Sequence, residues 1–402
     1  MQPGSERQPM REHIGIAVDG GGVRGTIVAH GLIALEEMLG TRPLIDDPRV
    51  KVVAGTSTGS LIAAALALGM TGEEILDLYH TVGERAFSKP GPLRPVGKSL
   101  PLLGNVRLPN RVARLIERLP GGVGEFLAYL LMPARYSFDP LRQILHETLV
   151  GRPGIGWGPT LGEMGAALRA KPNAPTLIVT AVEVAARQTR FLKSTPGETY
   201  QHMKLIDALL ASSSVPTYFP PIPLPPDDPA KKPNRWLVDG GVGNFGNPAL
   251  VVAWELCDPR GTRRYDPADV SIISFGTGYV PPDVYRRTYG SAAKWWALDW
   301  AAHVTDLFIE DAIREQTRNI PAYYPGIDLR RYQVELDRVV RADDFELIDT
   351  VLDEKGRQMQ DIVREDAHVL RTAPAVQRDD HDPERVLNAA TARMIRRRPG
   401  QN

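Results

Sequence analysis

The sequence predicts an α/β fold, a three-layer sandwich in which a largely parallel central sheet is flanked by helices. Three observations predict it. Short apolar, often β-branched runs recur along the chain. Stretches with helical spacing lie between them. Glycine-rich turns mark the points where strand hands over to helix, and such alternation implies helices on both faces of a parallel sheet.

His13–Asp19 reads as the first strand and Thr26–Leu39 as the helix behind it. Lys51–Ala54 is the second strand, and a helix runs on from Ser57. Thr176–Val182 and Val270–Ser274 are β-branched runs bounded by turn signals, hence further strands. Residues 220–235 (PPIPLPPDDPAKKPNR) read as a Pro-rich surface loop. No internal repeat is visible. The catalytic domain is placed at residues 12–370. The polar residues 371–402, ending in RMIRRRPGQN, are expected to form a basic tail.

The chain has 402 residues, 43% of them hydrophobic, enough for one large domain or two smaller ones. Formal net charge is zero, so whole-chain charge does not point to a nucleic acid polymer as partner. The single cysteine, Cys257, excludes an internal disulfide framework and fits a reducing compartment. The first 12 residues lack an apolar core of the signal-peptide kind. The longest apolar run, Leu61–Met70, is too short to span a bilayer. The expected location is cytoplasmic, with peripheral contact at the inner face of the membrane. Composition leaves a homo-oligomer open.

Residues 84–135 stand apart as a basic helical insertion, with nine Lys and Arg against three Glu. Within it Val112, Leu115, Ile116 and Leu119 recur at helical spacing, with Arg111, Arg114 and Arg118 between them. A basic amphipathic helix of this kind can lie on an anionic membrane or form a lid. It can equally be an ordinary helix packed on the body.

Three short segments carry chemistry. DGGGVRG at 19–25 follows the first strand. Its spacing, Gly20, Gly22 and Gly25, fits the dinucleotide loop G-x-G-x-x-G, and Asp46 or Asp47 lies near the distance of a ribose-binding acid. That acid should end a second strand, but here it lies in a Pro-flanked loop. The other reading of the loop is an oxyanion hole. Gly20, Gly21 and Gly22 let backbone N–H groups approach a substrate oxygen unobstructed, and Arg24 adds positive charge. GTSTG at 55–59 is a nucleophile elbow, with Gly55, Thr56, Thr58 and Gly59 around Ser57. Its alternative is a turn with an N-capping serine.

An exposed serine needs a base. The late candidates, His368 and His381, have no strand-end setting, and all eight histidines are read as structural or solvated. Asp239 follows Trp236, Leu237 and Val238 and precedes Gly240-Gly241, so it ends a strand where the chain turns. A carboxylate there can accept the serine proton directly. A lone D-G-G is otherwise a hairpin turn. No group of residues has metal-ligand spacing, and no cofactor is expected.

Together the three segments resemble the patatin-like lipid acyl hydrolases. ASSSVPTYFPP at 211–221 is similar to the stretch that precedes that family's aspartate, SFGTG at 274–278 to its later strand and glycine turn, and RYSFDPL at 135–141 to the start of its middle region. Residues 296–358 resemble its C-terminal helices more loosely. The resemblance implies a Ser57–Asp239 dyad, an oxyanion hole from Gly20, Gly21, Gly22 and the backbone around Arg24, and metal-free hydrolysis of phospholipid or galactolipid acyl esters. Membrane lipids are then the partners. It also implies a rival, a conditionally activated effector, because some bacterial relatives act in phage defence and are switched on by cyclic nucleotides. A third reading is a nucleotide-binding oxidoreductase built on Gly20–Gly25. Two departures stand out. Many relatives read Asn-Asn-Pro after the DGG, whereas here Asn244-Phe-Gly-Asn247-Pro248 intervenes, and the basic insertion is long.

Overall fold

A computed structural model of the chain describes residues 9–86, 99–100, 106–107, 134, 136–149, 158–226, 233–259 and 261–366. Arg111, Arg114, Arg118, His368, His381 and the tail at 371–402 lie outside the described residues.

Eight strands form one sheet. In chain order they are β1 (His13–Val18), β2 (Val50–Thr56), β3 (Thr176–Glu183), β4 (Gln188–Lys193), β5 (Ile222–Pro223), β6 (Trp236–Asp239), β7 (Val270–Phe275) and β8 (Asp328–Tyr332). The order across the sheet is β8-β7-β1-β2-β3-β6-β5, with β4 also on β3. The ladders β8–β7, β7–β1, β1–β2 and β2–β3 are parallel, and β4, β5 and β6 add antiparallel pairs.

The helices are α1 (Gly25–Leu39), α2 (Thr58–Ala67), α3 (Gly72–Ala86), α4 (Asp139–Leu149), α5 (Leu161–Arg169), α6 (Leu205–Ser212), α7 (Ala249–Cys257), α8 (Pro282–Tyr289), α9 (Ala297–Tyr323) and α10 (Asp353–Arg364). Among the described residues none is long and apolar enough to cross a membrane.

The pleat sorts the strand side chains between two cores. Ile14, Ile16 and Val18 of β1 join Leu177, Val179, Ile273 and Phe275 in the core under α1, α2 and α10. Ala17 joins Val52, Ala54, Ile178 and Ile272 in the core under α7, which Ile320 of α9 also enters. This period of two is what a sheet covered on both faces requires. Gly15 marks the tightest approach, since a Cβ there would sit 2.2 Å from Val252 Cγ1 of α7.

Among the described residues the predicted strands and helices form, with ends shifted by a few residues, and the helix expected around Val112–Leu119 lies outside them. The differences are additions. The Pro-rich stretch 220–235 contributes β5, which pairs with β6 at the sheet edge, where Pro223 is tolerated. β4 and β8 were not predicted. β8 (DLRRY) has two arginines that break the apolar pattern, yet both are buried. Arg330 pairs with Asp328 and Asp366, and Arg331 with Asp19.

One register positions the site. β3 offers a single edge to two strands: Thr180 pairs with Thr56 at the end of β2, and Ala181 pairs with Asp239 at the end of β6. β4 occupies the other edge of β3. The two strand ends therefore meet, one residue apart in register, at the C-terminal edge of the parallel sheet.

Candidate active site

Ser57 lies between the end of β2 and the start of α2 with φ 54° and ψ −129°. A side chain with a Cβ holds such a conformation only where its surroundings enforce it. Here they are close-packed glycines. A Cβ on Gly55 would lie 2.0 Å from Gly59 O, and one on Gly59 would lie 2.3 Å from Val18 O. Ser60 N–H and its hydroxyl both donate to Ser57 O, at 2.9 and 2.6 Å. Ser57 N–H donates to Ser212 Oγ at 2.9 Å. The turn thus has the strained strand-to-helix geometry of a nucleophile elbow rather than of an N-cap, and the serine side chain makes no capping bond.

Thr56 and Thr58 support the turn from either side. Thr56 Oγ1 donates to Phe245 O at 2.5 Å and lies 2.7 Å from Thr180 Oγ1. Thr58 Oγ1 lies 2.8 Å from the buried Tyr79 hydroxyl.

Asp239 is buried at the end of β6. Its N–H donates to Ser214 O at 3.0 Å, and its Oδ1 accepts Gly241 N–H at 2.7 Å. Oδ2 is buried and closes no hydrogen bond. Burial pushes this carboxyl up to about 7, against the opposing pull of the Ser57 hydroxyl and the Gly241 N–H. No hydrogen bond closes between Oδ2 and the Ser57 hydroxyl. Contacts of this kind often tighten only with substrate.

The glycine loop runs beside Ser57. A Cβ on Gly20 would lie 3.0 Å from Ser57 Cβ. Gly22 has φ +60°, and a Cβ there would strike Ala342 O at 2.3 Å. Two of the expected donors are already committed. Gly20 N–H donates to Gly246 O and Arg24 N–H to Gly21 O, each at 3.2 Å. The Arg24 guanidinium reaches Gly21 O and Gly278 O, so it props the loops instead of facing Ser57. Among the described residues the Gly21 and Gly22 N–H groups close no hydrogen bond.

Beside Ser57 opens a cavity of about 150 Å³. Leu61, Ile62, Ile75, Leu78, Leu141, Ile144, Leu145, Val215, Phe219 and Phe345 give it an almost wholly apolar wall. Among the described residues no histidine lines it. Four of the six described histidines have partners elsewhere: His30 with Asp353, His80 with Asp349, His13 on Tyr265, and His303 on Tyr289. His80, Asp349 and Asp353 bring three metal-competent atoms within 4.8 Å of one another, but none of them lines the cavity.

The dinucleotide alternative fails on placement. Asp46 and Asp47 precede β2, so they sit at the opposite sheet edge from the glycine loop. There Asp46 pairs with Lys171 and Asp47 with Arg49, both at 2.7 Å.

Sequence reasoning missed several supporting groups. Ser212 and Ser214, in the segment noted only for its resemblance, each hold one of the two candidate residues in place. Ser213 between them lines the cavity with a buried, unpartnered Oγ. The extra residues after the DGG also bind back. Phe245 O takes Thr56, Gly246 O takes Gly20, and buried Asn247 caps α7 while donating to Thr317 at 3.0 Å.

Residues 16–253 match the family profile of the patatin-like phospholipases. Patatin-like protein 1 of Arabidopsis thaliana is 26% identical over 356 residues, which cover 82% of this chain and 73% of that one. A cGAMP-activated phospholipase of Pseudomonas aeruginosa is 26% identical over 58% of this chain and 54% of its own. Among solved structures, VipD from Legionella pneumophila aligns over 87% of this chain and 67% of that one, at 15% identity and a TM-score of 0.37. The matched span runs from β1 through the Ser57 turn and the DGG turn into α7, more than half of the chain, and on that ground the chain belongs to the patatin-like phospholipase family.

Proposed function

We propose that the chain hydrolyses fatty acyl esters of membrane lipids, phospholipids or galactolipids, without a metal. Ser57 Oγ attacks the ester carbonyl as its proton passes to Asp239. Gly21 and Gly22 N–H groups receive the oxyanion. The protonated Asp239 returns its proton to the leaving alcohol, and the acyl group stays on Ser57. Water then gives a proton to Asp239 as it attacks the acyl-enzyme, and Asp239 returns that proton to Ser57 Oγ as the fatty acid leaves. The observation that carries this reading is a strained serine at the mouth of an apolar cavity, beside a buried carboxylate with one unbonded oxygen. Such a cavity suits an acyl chain. Fluorophosphonate labelling of the unaltered chain but not of Ser57→Ala, with lipid profiling of a total extract, tests it.

The raised carboxyl gives the reading a pH signature. Asp239 must be ionised to take a proton, so ester turnover should rise through pH 7 and plateau above it. A pH-independent rate between 5 and 9 would contradict the assignment. Stability should move the other way. With its value up from 3.8 to about 7, folded Asp239 holds a proton that the unfolded chain has released between these values. Stability therefore falls as pH rises from about 4 to 7. Asp239→Asn removes this burden, and its amide can donate to Ser57 Oγ. The variant should gain roughly 2–4 kcal/mol at pH 8 and little below pH 4, at about 1.4 kcal/mol per unit. Thermal melts of both proteins at the two pH values provide the check.

The named activator of the Pseudomonas relative supports a second reading, an effector held inactive until a cyclic dinucleotide binds. A melting-temperature rise with cGAMP, accompanied by a gain in turnover, would select it. The basic stretch 84–135 is proposed, on its charge alone, to favour anionic headgroups. We place the protein in a reducing compartment, acting peripherally on the inner membrane face.

A further inference from the structure

Among the described residues eight large apolar side chains are well exposed: Val184, Trp236, Val242, Trp296, Trp300, Val304, Leu307 and Tyr323. Their placement is uneven. Val184 follows the C-terminal end of β3, Trp236 begins β6, and Val242 lies in the turn after Asp239. These three are at the catalytic edge of the sheet. Four more run along the start of α9: Trp296, the residue just before it, is 82% exposed, and Trp300, Val304 and Leu307 on it are 45%, 37% and 45% exposed. Their spacing, four, four and three residues, puts them on one helical face.

α9 carries that face past the sheet. It returns the chain from the end of β7 to the start of β8, so it descends from the catalytic edge. Its 27 residues make a rod of about 40 Å. The six residues of β7 cover only about 20 Å. The lower half is engaged. Ile320 is in the core, Thr317 bonds Asn247, and Ile313 and Ile309 meet the backbone at Gly246, whose carbonyl holds Gly20. Gly246 thus marks the level of the glycine loop, and everything from Leu307 back to Trp296 rises above it.

We infer that this overhang is a membrane-docking surface that seats the Ser57 cavity on a lipid bilayer. The occupant follows from the chemistry. Tryptophan favours the headgroup layer, where its ring is buried and its polar edge stays wet. Exposed Lys294, two residues before Trp296, complements anionic headgroups at the N-terminal end of the stripe. An aromatic knot stiffens this end. Trp295 donates to Tyr289 O at 3.0 Å and stands 5.1 Å from Trp300 and 4.7 Å from His303. The stripe rises from the very edge on which the lipid site opens. Its purpose rests on the hydrolase reading, but its binding can be measured without turnover.

The experiment uses the full chain carrying Ser57→Ala, with and without Trp296→Glu and Leu307→Glu. Sedimentation with vesicles of phosphatidylglycerol and phosphatidylethanolamine should show at least about a tenfold loss of partitioning in the Glu variant, because two apolar anchors leave the interface. In the chain with Ser57 intact, the same pair should slow vesicle hydrolysis by a similar factor. A short soluble ester needs no docking, and its turnover should stay within about twofold. Unchanged partitioning would overturn the proposal. So would a dimer, found without vesicles and dissolved by the Glu pair, which would assign the stripe to a second copy. If the unaltered chain hydrolyses no ester at all, the hydrolase reading fails while the sedimentation still decides the docking surface.

Discussion

Ser57→Ala and Asp239→Asn should each remove nearly all ester hydrolysis from a protein that remains folded. Removing the nucleophile leaves only the oxyanion donors and the cavity to act on bound ester. Removing the base leaves a serine hydroxyl with no acceptor, because no histidine among the described residues lines the cavity. A positioned general base contributes about 10²–10⁴-fold. The double variant should be no worse than the poorer single one, since nucleophile and base act as a unit. Initial rates on a short soluble ester, with circular dichroism to confirm folding, provide the measurement. If Asp239→Asn keeps more than about a tenth of the rate, the expected minimum for a base is missing and Asp239 has another role. A folded but inactive alanine variant at His202 or His303 would point the same way, toward a triad.

The elbow was legible because its causes are local. Strand, glycines, serine and helix lie within a few residues, and Gly55 packs on Gly59 within the turn itself, while Val18, Gly20 and Ser212 close on it from elsewhere in the chain. Asp239 was legible as a strand-end acid, but its meeting with Ser57 was not readable by composition or spacing. That meeting depends on β3 presenting Thr180 and Ala181 on one edge to two strands far apart in the chain. The glycine loop shows the same limit. Its small residues announced a close approach, yet only the fold reveals that Gly246 and Gly21 consume the Gly20 and Arg24 amides. β8 was missed for a different reason. Periodicity tests look for apolar residues, and a strand whose inward positions are arginines fails them unless the paired acids are known.

Arg331 is where that hidden strand bears on the site, and Arg331→Met should be strongly destabilising. Its Nη1 donates to Asp19 Oδ1 at 2.8 Å and to Ser274 Oγ at 2.9 Å, and its Nη2 donates to Asp19 Oδ2 at 2.5 Å. Both partners are almost fully buried. Asp19 directly precedes Gly20, so this fork reaches past β7 from β8 to anchor the first residue of the glycine loop. Methionine fills much of the space but leaves a carboxylate buried and unpaired. Breaking a buried pair from one side destabilises by about 3–5 kcal/mol. Replacing both partners, Asp19→Leu with Arg331→Met, should recover most of that loss, because no charge then remains buried. Activity should separate from stability in this pair. The apolar replacement restores packing but no longer fixes the Asp19 carboxylate beneath Gly20, so Gly21 and Gly22 lose their aim. Misplacing one oxyanion donor should lower kcat by about 10²-fold or more. Urea unfolding and soluble-ester kinetics on the two single variants and the double variant decide it. A double variant that is both stable and fully active would show that Arg331 only balances charge and that the loop needs no anchor.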